Sequence, residues 1–146
     1  MKLSEKNRIA MLTDVHKSIE RAADQMTDGI YQGKLDQLIN YPPNGGLTEE
    51  EQSSLQLLRN NEVFRNALRK VFASNAASVL FELFNIIDGT ADPDPDLGEW
   101  SGVMMIDIPE NYDEHYEFLH DAFYETYQNW KDKGISKVDL ELSDKK

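Results

Sequence analysis

The feature that most constrains the fold is the segment from Val71 to Ile87, which carries a single charged residue, Glu82. At about 100° per residue, its apolar side chains occupy one broad face of a helix and its polar side chains a narrow one. The apolar face comprises Phe72, Ala76, Val79, Leu80, Leu83, Ile86 and Ile87. Helices with so little polar surface are typical of domain interiors, so the segment predicts a central core helix.

A second amphipathic helix is predicted near the N-terminus. Its apolar side recurs at alternating spacings of three and four and comprises Ile9, Leu12, His16, Ile19, Ala23, Met26 and Ile30. That spacing is typical of a helix with one buried seam, so His16 is interpreted as a core histidine. Gly29 and Gly33 weaken the end of the helix, and the stretch through Leu38 could form a second short helix.

The next helix is predicted to begin after a strong chain breaker. Residues 41–46 read Tyr-Pro-Pro-Asn-Gly-Gly, in which proline and glycine favour a turn. Thr48 and Glu51 then have the spacing of a capping box, which marks a helix N-terminus. We expect this helix to break near Asn60 and Asn61 and to resume from Glu62.

The segment from Tyr112 to Lys133 predicts a further helix, ended by Gly134. One face, expected to be core, holds Tyr112, Tyr116, Leu119, Phe123, Tyr127 and Trp130. An acidic stripe, lying about 160° from that face by helical spacing, comprises Glu114, Glu117, Asp121 and Glu125. Like charges four residues apart each disfavour a helix by a few tenths of a kcal/mol, roughly. The stripe is interpreted in two ways. It is a binding face, or it has no binding role and is either exposed to solvent or neutralised by Arg65 and Arg69.

Two short runs have the alternation or composition of β-strands. Residues 102–108 contain Val-Met-Met-Ile, and residues 137–142 alternate apolar and acidic side chains. They could pair as a small hairpin, with a flexible tail as the alternative for the second run. The predicted fold is therefore a mainly α, single-domain bundle of four to five helices over residues 1–134, with residues 135–146 as an edge strand or tail.

Charge is distributed unevenly along the 146 residues. The formal net charge is −12, yet residues 1–72 hold ten basic and ten acidic residues, and residues 73–146 hold five and seventeen. Between Lys70 and Lys131 there is no basic residue. Direct binding to nucleic acid is disfavoured because it requires Lys and Arg to neutralise phosphates, and anionic membranes are disfavoured for the same reason.

The compartment is only hinted at by the sequence. There are no cysteines, which excludes a disulfide framework and a cysteine nucleophile. The first residues lack the apolar stretch of a secretory signal, and no run reaches the roughly 18 uncharged apolar residues of a membrane helix. A cytoplasmic location is therefore expected.

Residues 88–99 form an acidic, proline-rich loop followed by Trp100. Asp92, Asp94 and Asp96 match positions one, three and five of a calcium-binding EF-hand loop. The match then fails, because Leu97 stands where a glycine is needed and Val103 where a bidentate glutamate is needed. We therefore predict an exposed acidic loop without a metal, in which Glu99 adds a further carboxylate. Trp100 is interpreted first as a core residue and second as an interface anchor.

Catalytic chemistry finds little support. Glu117 and His120 have the spacing of a di-iron bundle pair, but there is one copy, and His115 and His120 project about 140° apart. No nucleophile elbow, phosphate-binding loop, dinucleotide fingerprint or zinc-protease motif is present. No cofactor or metal is predicted.

Three functional hypotheses follow. The first is an acidic binding protein that occludes a basic partner, such as a toxin, nuclease or other nucleic-acid-binding protein, as immunity or antitoxin-type inhibitors and nucleic-acid mimics do. Its predicted contact residues are Asp92, Asp94, Asp96, Glu99, Trp100, Glu114, Glu117, Asp121 and Glu125. The second is a metal-dependent hydrolase centred on Asp88, Asp92, Asp94 and His115 or His120. The third is a structural subunit that forms a homodimer through its aromatic face.

Overall fold

The computed structural model describes residues 3–34, 39–42, 45–109, 119–120 and 123. These residues form α1 (Glu5–Gln32), α2 (Glu49–Gln56), α3 (Glu62–Ile87) and a short 3-10 turn at Pro95–Leu97. The mainly helical class is confirmed. The described residues contain three α-helices, not four to five, and most of the predicted Tyr112–Lys133 helix lies outside them, as does the boundary predicted at residue 134.

Local sequence signals explain both ends of α1. The Ser4 hydroxyl accepts a hydrogen bond from the Asn7 backbone N–H, which caps the first turn. At the other end Gly33 adopts φ 71°, the left-handed conformation that glycine adopts without strain. A Cβ atom there would lie 2.7 Å from the Arg59 side chain, which would have to move to make room for it.

The start of α2 and the break before α3 agree with the sequence. The Thr48 N–H donates to the Glu51 carboxylate at 2.7 Å, and the Glu51 N–H donates to the Thr48 hydroxyl at 3.2 Å. These bonds complete the predicted capping box, and the hydrogen bonds of the Glu51 carboxylate to the Thr48 backbone and then to its side chain lower the pKa of Glu51. After the turn at residues 57–60, the Asn61 side chain accepts from the Phe64 N–H and starts α3.

Helices α1 and α3 pack against each other in antiparallel fashion. Asp28 pairs with Arg65 at 2.7 Å, and Asp24 pairs with Arg69 at 2.5 Å. The residue with the higher number in α1 thus contacts the residue with the lower number in α3, as in an antiparallel pair. Glu20 also contacts Arg69. The buried residues of α1 are Ile19, Ala23, Thr27, Gly29 and Ile30. The core of the described chain is therefore one side of α1 against one side of α3.

The predicted seam of α1 is buried only in its second half. Ile19 is 8% exposed, whereas Ile9 is 54% exposed. His16 is also exposed, so its interpretation as a core histidine is wrong. The seam indicates which side of α1 faces α3, but it does not indicate which residues along that side are buried by other segments of the chain.

The prediction that α3 is a central core helix is wrong. None of its residues is buried, and Val79 is 63% exposed. The apolar composition indicates how much of the helix surface would favour burial, but it does not indicate how many neighbouring segments cover that surface. In length and composition α3 could also cross a membrane, although a single helix of this kind is weak evidence for a membrane protein.

The predicted strand at 102–108 is also wrong, because this described segment has no β-structure. A strand needs a hydrogen-bonding partner, and the proposed one at 137–142 lies outside the described residues. Instead, the Asp107 carboxylate accepts a hydrogen bond from the Ser4 backbone N–H at 3.1 Å, at the start of α1. Asp107 thereby holds the segment against the first turn of that helix.

Asp107 predicts a pH-dependent contribution to stability. Hydrogen bonds from the Asn7 side chain and from Ser4 lower the pKa of Asp107 in the folded state. A lowered pKa means that the carboxylate stabilises the fold above the pKa of the unfolded chain, and that this contribution disappears as pH falls through the folded-state pKa. We expect Asp107→Asn to lower the melting temperature at neutral pH and to match wild type in strong acid. Circular dichroism melts across pH measure both, and an equal offset at every pH would contradict this role.

Candidate functional site

The acidic loop, residues 88–99, begins on a fixed base. The Thr90 backbone N–H and hydroxyl both donate to the Asn85 carbonyl, at 2.9 and 3.1 Å, and the Ala91 N–H adds a third bond to it. These bonds fasten the start of the loop to the last turn of α3. The loop therefore leaves the helix in a defined direction.

The middle of the loop contains its own turn. Asp94 accepts a hydrogen bond from the Asp96 backbone N–H at 3.0 Å, and Pro95 occupies the first position of the 3-10 turn. Proline suits that position because its backbone torsion is already fixed near the helical value. The turn ends at Gly98, whose φ of 104° favours glycine.

This backbone presents the loop carboxylates, Asp92, Asp94, Asp96 and Glu99, at the surface. All four residues are exposed. Within the part of the chain that the structure describes, no basic side chain forms an ion pair with any of them. The structure thus exposes four of the predicted contact residues on one loop, without a basic ion-pair partner among the described residues.

The two arginines nearest in sequence are engaged elsewhere. A hydrogen bond to Asp28 raises the pKa of Arg65, and hydrogen bonds to Asp24 and then Glu20 raise the pKa of Arg69. Both guanidinium groups therefore neutralise acids of α1. The interpretation that they neutralise the acidic stripe draws no support from these contacts.

Trp100 is not a core residue, contrary to the first interpretation. It is 42% exposed and lines a shallow depression of about 390 Å³ with Asp92, Pro93, Pro95 and Gly98. An indole beside carboxylates offers an apolar contact surface and an N–H donor at one place. The second interpretation, in which Trp100 anchors an interface, stays a prediction.

The metal-dependent alternative gains nothing from the geometry. Among the described residues, no group of three His, Cys, Asp or Glu side chains could hold a metal ion. One carboxylate of the EF-hand pattern, Asp94, already accepts a backbone hydrogen bond within its own turn. His115, which this hypothesis also invoked, lies outside the described residues. The absence of a metal in the loop stays a prediction.

The C-terminal candidates are only partly covered by the structure. The four acidic-stripe residues, Glu114, Glu117, Asp121 and Glu125, lie outside the described residues. Of the predicted aromatic core face, Leu119 is 90% exposed and Phe123 is also exposed, so burial is wrong for these two. The Phe123 ring stacks on Tyr41 with 5.9 Å between centroids.

The exposure of Leu119 predicts a small effect of truncating it. Because the side chain is already in water, Leu119→Ala should change the free energy of unfolding by less than about 0.5 kcal/mol, against about 2 to 5 kcal/mol for a buried leucine. Urea denaturation followed by circular dichroism measures the difference. A loss above about 2 kcal/mol would show that Leu119 is covered in solution.

Sequence reasoning missed one surface altogether. Val79, Phe81 and Leu83 are exposed on α3, although Val79 and Leu83 belong to its predicted core face. Their positions span more than one face of the helix, which is the signal that a single neighbouring helix could not cover them all.

No protein-family model, no curated protein and no solved structure matches this chain.

Proposed function

We propose that this chain is a small acidic binding protein that occludes a basic protein partner, as an immunity or antitoxin-type inhibitor or a nucleic-acid mimic does. The observation that carries the proposal is the group of four exposed loop carboxylates without a basic ion-pair partner in the described chain. An acidic surface of this kind attracts a cationic surface over a distance and sets its orientation.

The loop is suited to binding because much of its shape is set in advance. The bonds from Thr90 to Asn85 and the turn at Asp94 fix the backbone before a partner arrives. Less conformational entropy is then lost on association. Trp100, exposed at the end of the loop, supplies the kind of aromatic anchor that interface hot spots favour.

The acidic stripe belongs to the proposal on sequence grounds alone. A fourth helix from Tyr112 to Lys133 would align Glu114, Glu117, Asp121 and Glu125 and enlarge the negative surface. A cytoplasmic location is proposed on the same footing. The partner would be a toxin, a nuclease or another nucleic-acid-binding protein, since such proteins present the basic surfaces that these carboxylates complement.

A second candidate is an oligomeric helical subunit, favoured by the exposed apolar side chains of α3. Val71, Val79 and Phe81 are each more than half exposed. Apolar groups concentrated on one exposed helix are typical of interaction surfaces. Sedimentation velocity at several protein concentrations distinguishes a homodimer, whose average mass rises with concentration, from a monomer that does not self-associate.

Partner capture from a lysate tests the proposal. Immobilised wild type is compared with Asp92→Asn/Asp94→Asn/Asp96→Asn/Glu99→Gln at low and high salt. We expect wild type to retain a basic protein at low salt and to lose much of it at high salt, and the variant to retain far less. Equal retention of the same proteins by both would contradict the proposal.

A further inference from the structure

The depression beside Trp100 has the size of a site for one side chain. Its volume is about 390 Å³, and it is lined by Asp92, Pro93, Pro95, Gly98 and Trp100. Ligand sites span roughly 300 to 1,000 Å³, so this one suits a single side chain of a partner and not a whole chain segment. The backbone φ of both prolines is fixed, and Pro95 lies in the 3-10 turn, so part of the wall is already in place before anything binds.

The carboxylate and the indole of this depression are not occupied by contacts within the described part of the chain. The Asp92 carboxylate forms no hydrogen bond or ion pair there, whereas Asp94 accepts a hydrogen bond from the Asp96 backbone N–H. The Trp100 ring is 42% exposed, and no aromatic ring or cation of the described residues stacks on it. An acidic group and an aromatic face thus line one depression, and both are accessible to a ligand.

The charge of the lining restricts the occupant. Of the five lining residues, Asp92 is acidic and none is basic. Lys6 and Arg8, the basic residues in the first turns of α1, do not line the depression. An anion would be repelled by Asp92, and an apolar side chain would leave this carboxylate without a partner. A cation satisfies the carboxylate and is also attracted to the electron-rich face of the indole.

Of the two permanently charged basic side chains, arginine complements this pair of groups better. Its planar guanidinium can stack on an aromatic ring while the edge of the same group donates two N–H bonds to one carboxylate. The lysine ammonium is a compact and strongly hydrated charge, so it loses more when it leaves water. One arginine can therefore use the indole and the carboxylate at the same time.

We propose that the Trp100 depression binds one arginine side chain of the basic partner, with its guanidinium stacked on Trp100 and paired with Asp92. The inference rests on the proposed function, because the acidic loop attracts the basic partner to this surface. The exposed loop carboxylates act at a distance and raise the association rate. The arginine in the depression acts after contact, so it lowers the dissociation rate.

Short glycine peptides with one central arginine, lysine or citrulline test the site. Citrulline has nearly the shape of arginine but carries no charge. An NMR titration of the full chain follows the indole N–H signal of Trp100, and a spectrum of Trp130→Phe identifies which of the two tryptophan signals it is. We expect the arginine peptide to shift this signal. It should bind at least about threefold more tightly than the lysine peptide and about tenfold more tightly than the citrulline peptide.

Two substitutions in the depression should weaken binding of the arginine peptide. Asp92→Asn removes the charge but keeps the shape, and Trp100→Leu keeps an apolar side chain but removes the aromatic face. Each should weaken binding about fivefold or more. Asp96→Asn is the matched control, because it removes the same charge from the same loop at a residue that does not line the depression. Its effect should stay below about twofold, since it acts only through screened attraction.

Four results with the peptides would overturn the inference. Equal binding of the arginine and citrulline peptides would show a contact that does not depend on charge. Equal binding of the arginine and lysine peptides would show that the guanidinium is not recognised. Equal weakening by Asp92→Asn and Asp96→Asn would assign the effect to the total charge of the loop. Binding that leaves the Trp100 signal unshifted would place the peptide elsewhere on the chain.

The captured partner separates this inference from the proposed function. In surface plasmon resonance, Trp100→Leu should raise the dissociation rate about tenfold and leave the association rate within about twofold. If neutralising the loop carboxylates abolishes capture but Trp100→Leu leaves dissociation unchanged, the arginine site is rejected and the proposed function stands. If the arginine peptide binds in the depression but capture ignores the loop carboxylates, the proposed function is rejected and the arginine site stands.

Discussion

Replacing Ile19 with alanine is expected to lower the free energy of unfolding by about 2 to 4 kcal/mol, the usual range for truncating a large buried aliphatic side chain. Ile19 is 8% exposed and is the first buried residue of the α1 face that packs on α3. Its removal takes away apolar burial and leaves a cavity that neighbouring side chains fill only in part. Urea denaturation with a linear extrapolation measures the change.

Ile9→Ala is the matched control for this prediction. Ile9 lies on the same helical seam by spacing, but it is 54% exposed. The same chemical change there should cost less than about 1 kcal/mol, because much of the removed surface was already in contact with water. Equal costs at the two positions would contradict the α1–α3 packing and would restore the uniformly buried seam that the sequence spacing predicts.

Neutralising the loop carboxylates is expected to slow association with the basic partner by about tenfold to a hundredfold at low salt. The variant is Asp92→Asn/Asp94→Asn/Asp96→Asn/Glu99→Gln. Asparagine at position 94 keeps an oxygen that can accept the hydrogen bond from the Asp96 backbone, so the 3-10 turn should persist. Surface plasmon resonance with the captured partner separates the association rate from the dissociation rate.

A second variant controls for total charge. Glu5→Gln/Asp14→Asn/Glu49→Gln/Glu50→Gln also removes four negative charges, all from exposed residues of α1 and α2. If the acidic loop is the surface that attracts the partner, this variant should slow association far less than the loop variant. Equal slowing would mean that net charge alone acts, and would remove the loop from the account.

The helix boundaries were the most predictable part of the fold, because they depend on local chemistry. Thr48 and Glu51 form the capping box that their spacing predicts, and Asn61 caps α3 where a break was expected. Each of these signals involves residues three apart in sequence, so no long-range contact can override them easily. The exposure of the loop carboxylates was predictable for a similar reason, since charged residues in a proline-rich loop seldom become buried.

Burial was predicted poorly, because it depends on which elements meet. An apolar seam predicted a core position for Ile9, His16 and Leu119, and all three are exposed. The same holds for Trp100, which was interpreted first as a core residue. Spacing identifies which side chains share a face, whereas their cover comes from segments distant in sequence. The strand expected at 102–108 failed for the same reason, since pairing needs a second strand.

The most direct test of the central claim is the association rate of wild type with the captured partner, measured from low salt to well above physiological salt. Attraction between exposed charges is screened over about 8 to 10 Å near physiological ionic strength. The account predicts that the wild-type rate falls steeply as salt rises and converges on that of the loop variant, whose rate changes little. Equal rates for the two proteins at every salt concentration would show that Asp92, Asp94, Asp96 and Glu99 form a solvated surface with no part in recognition.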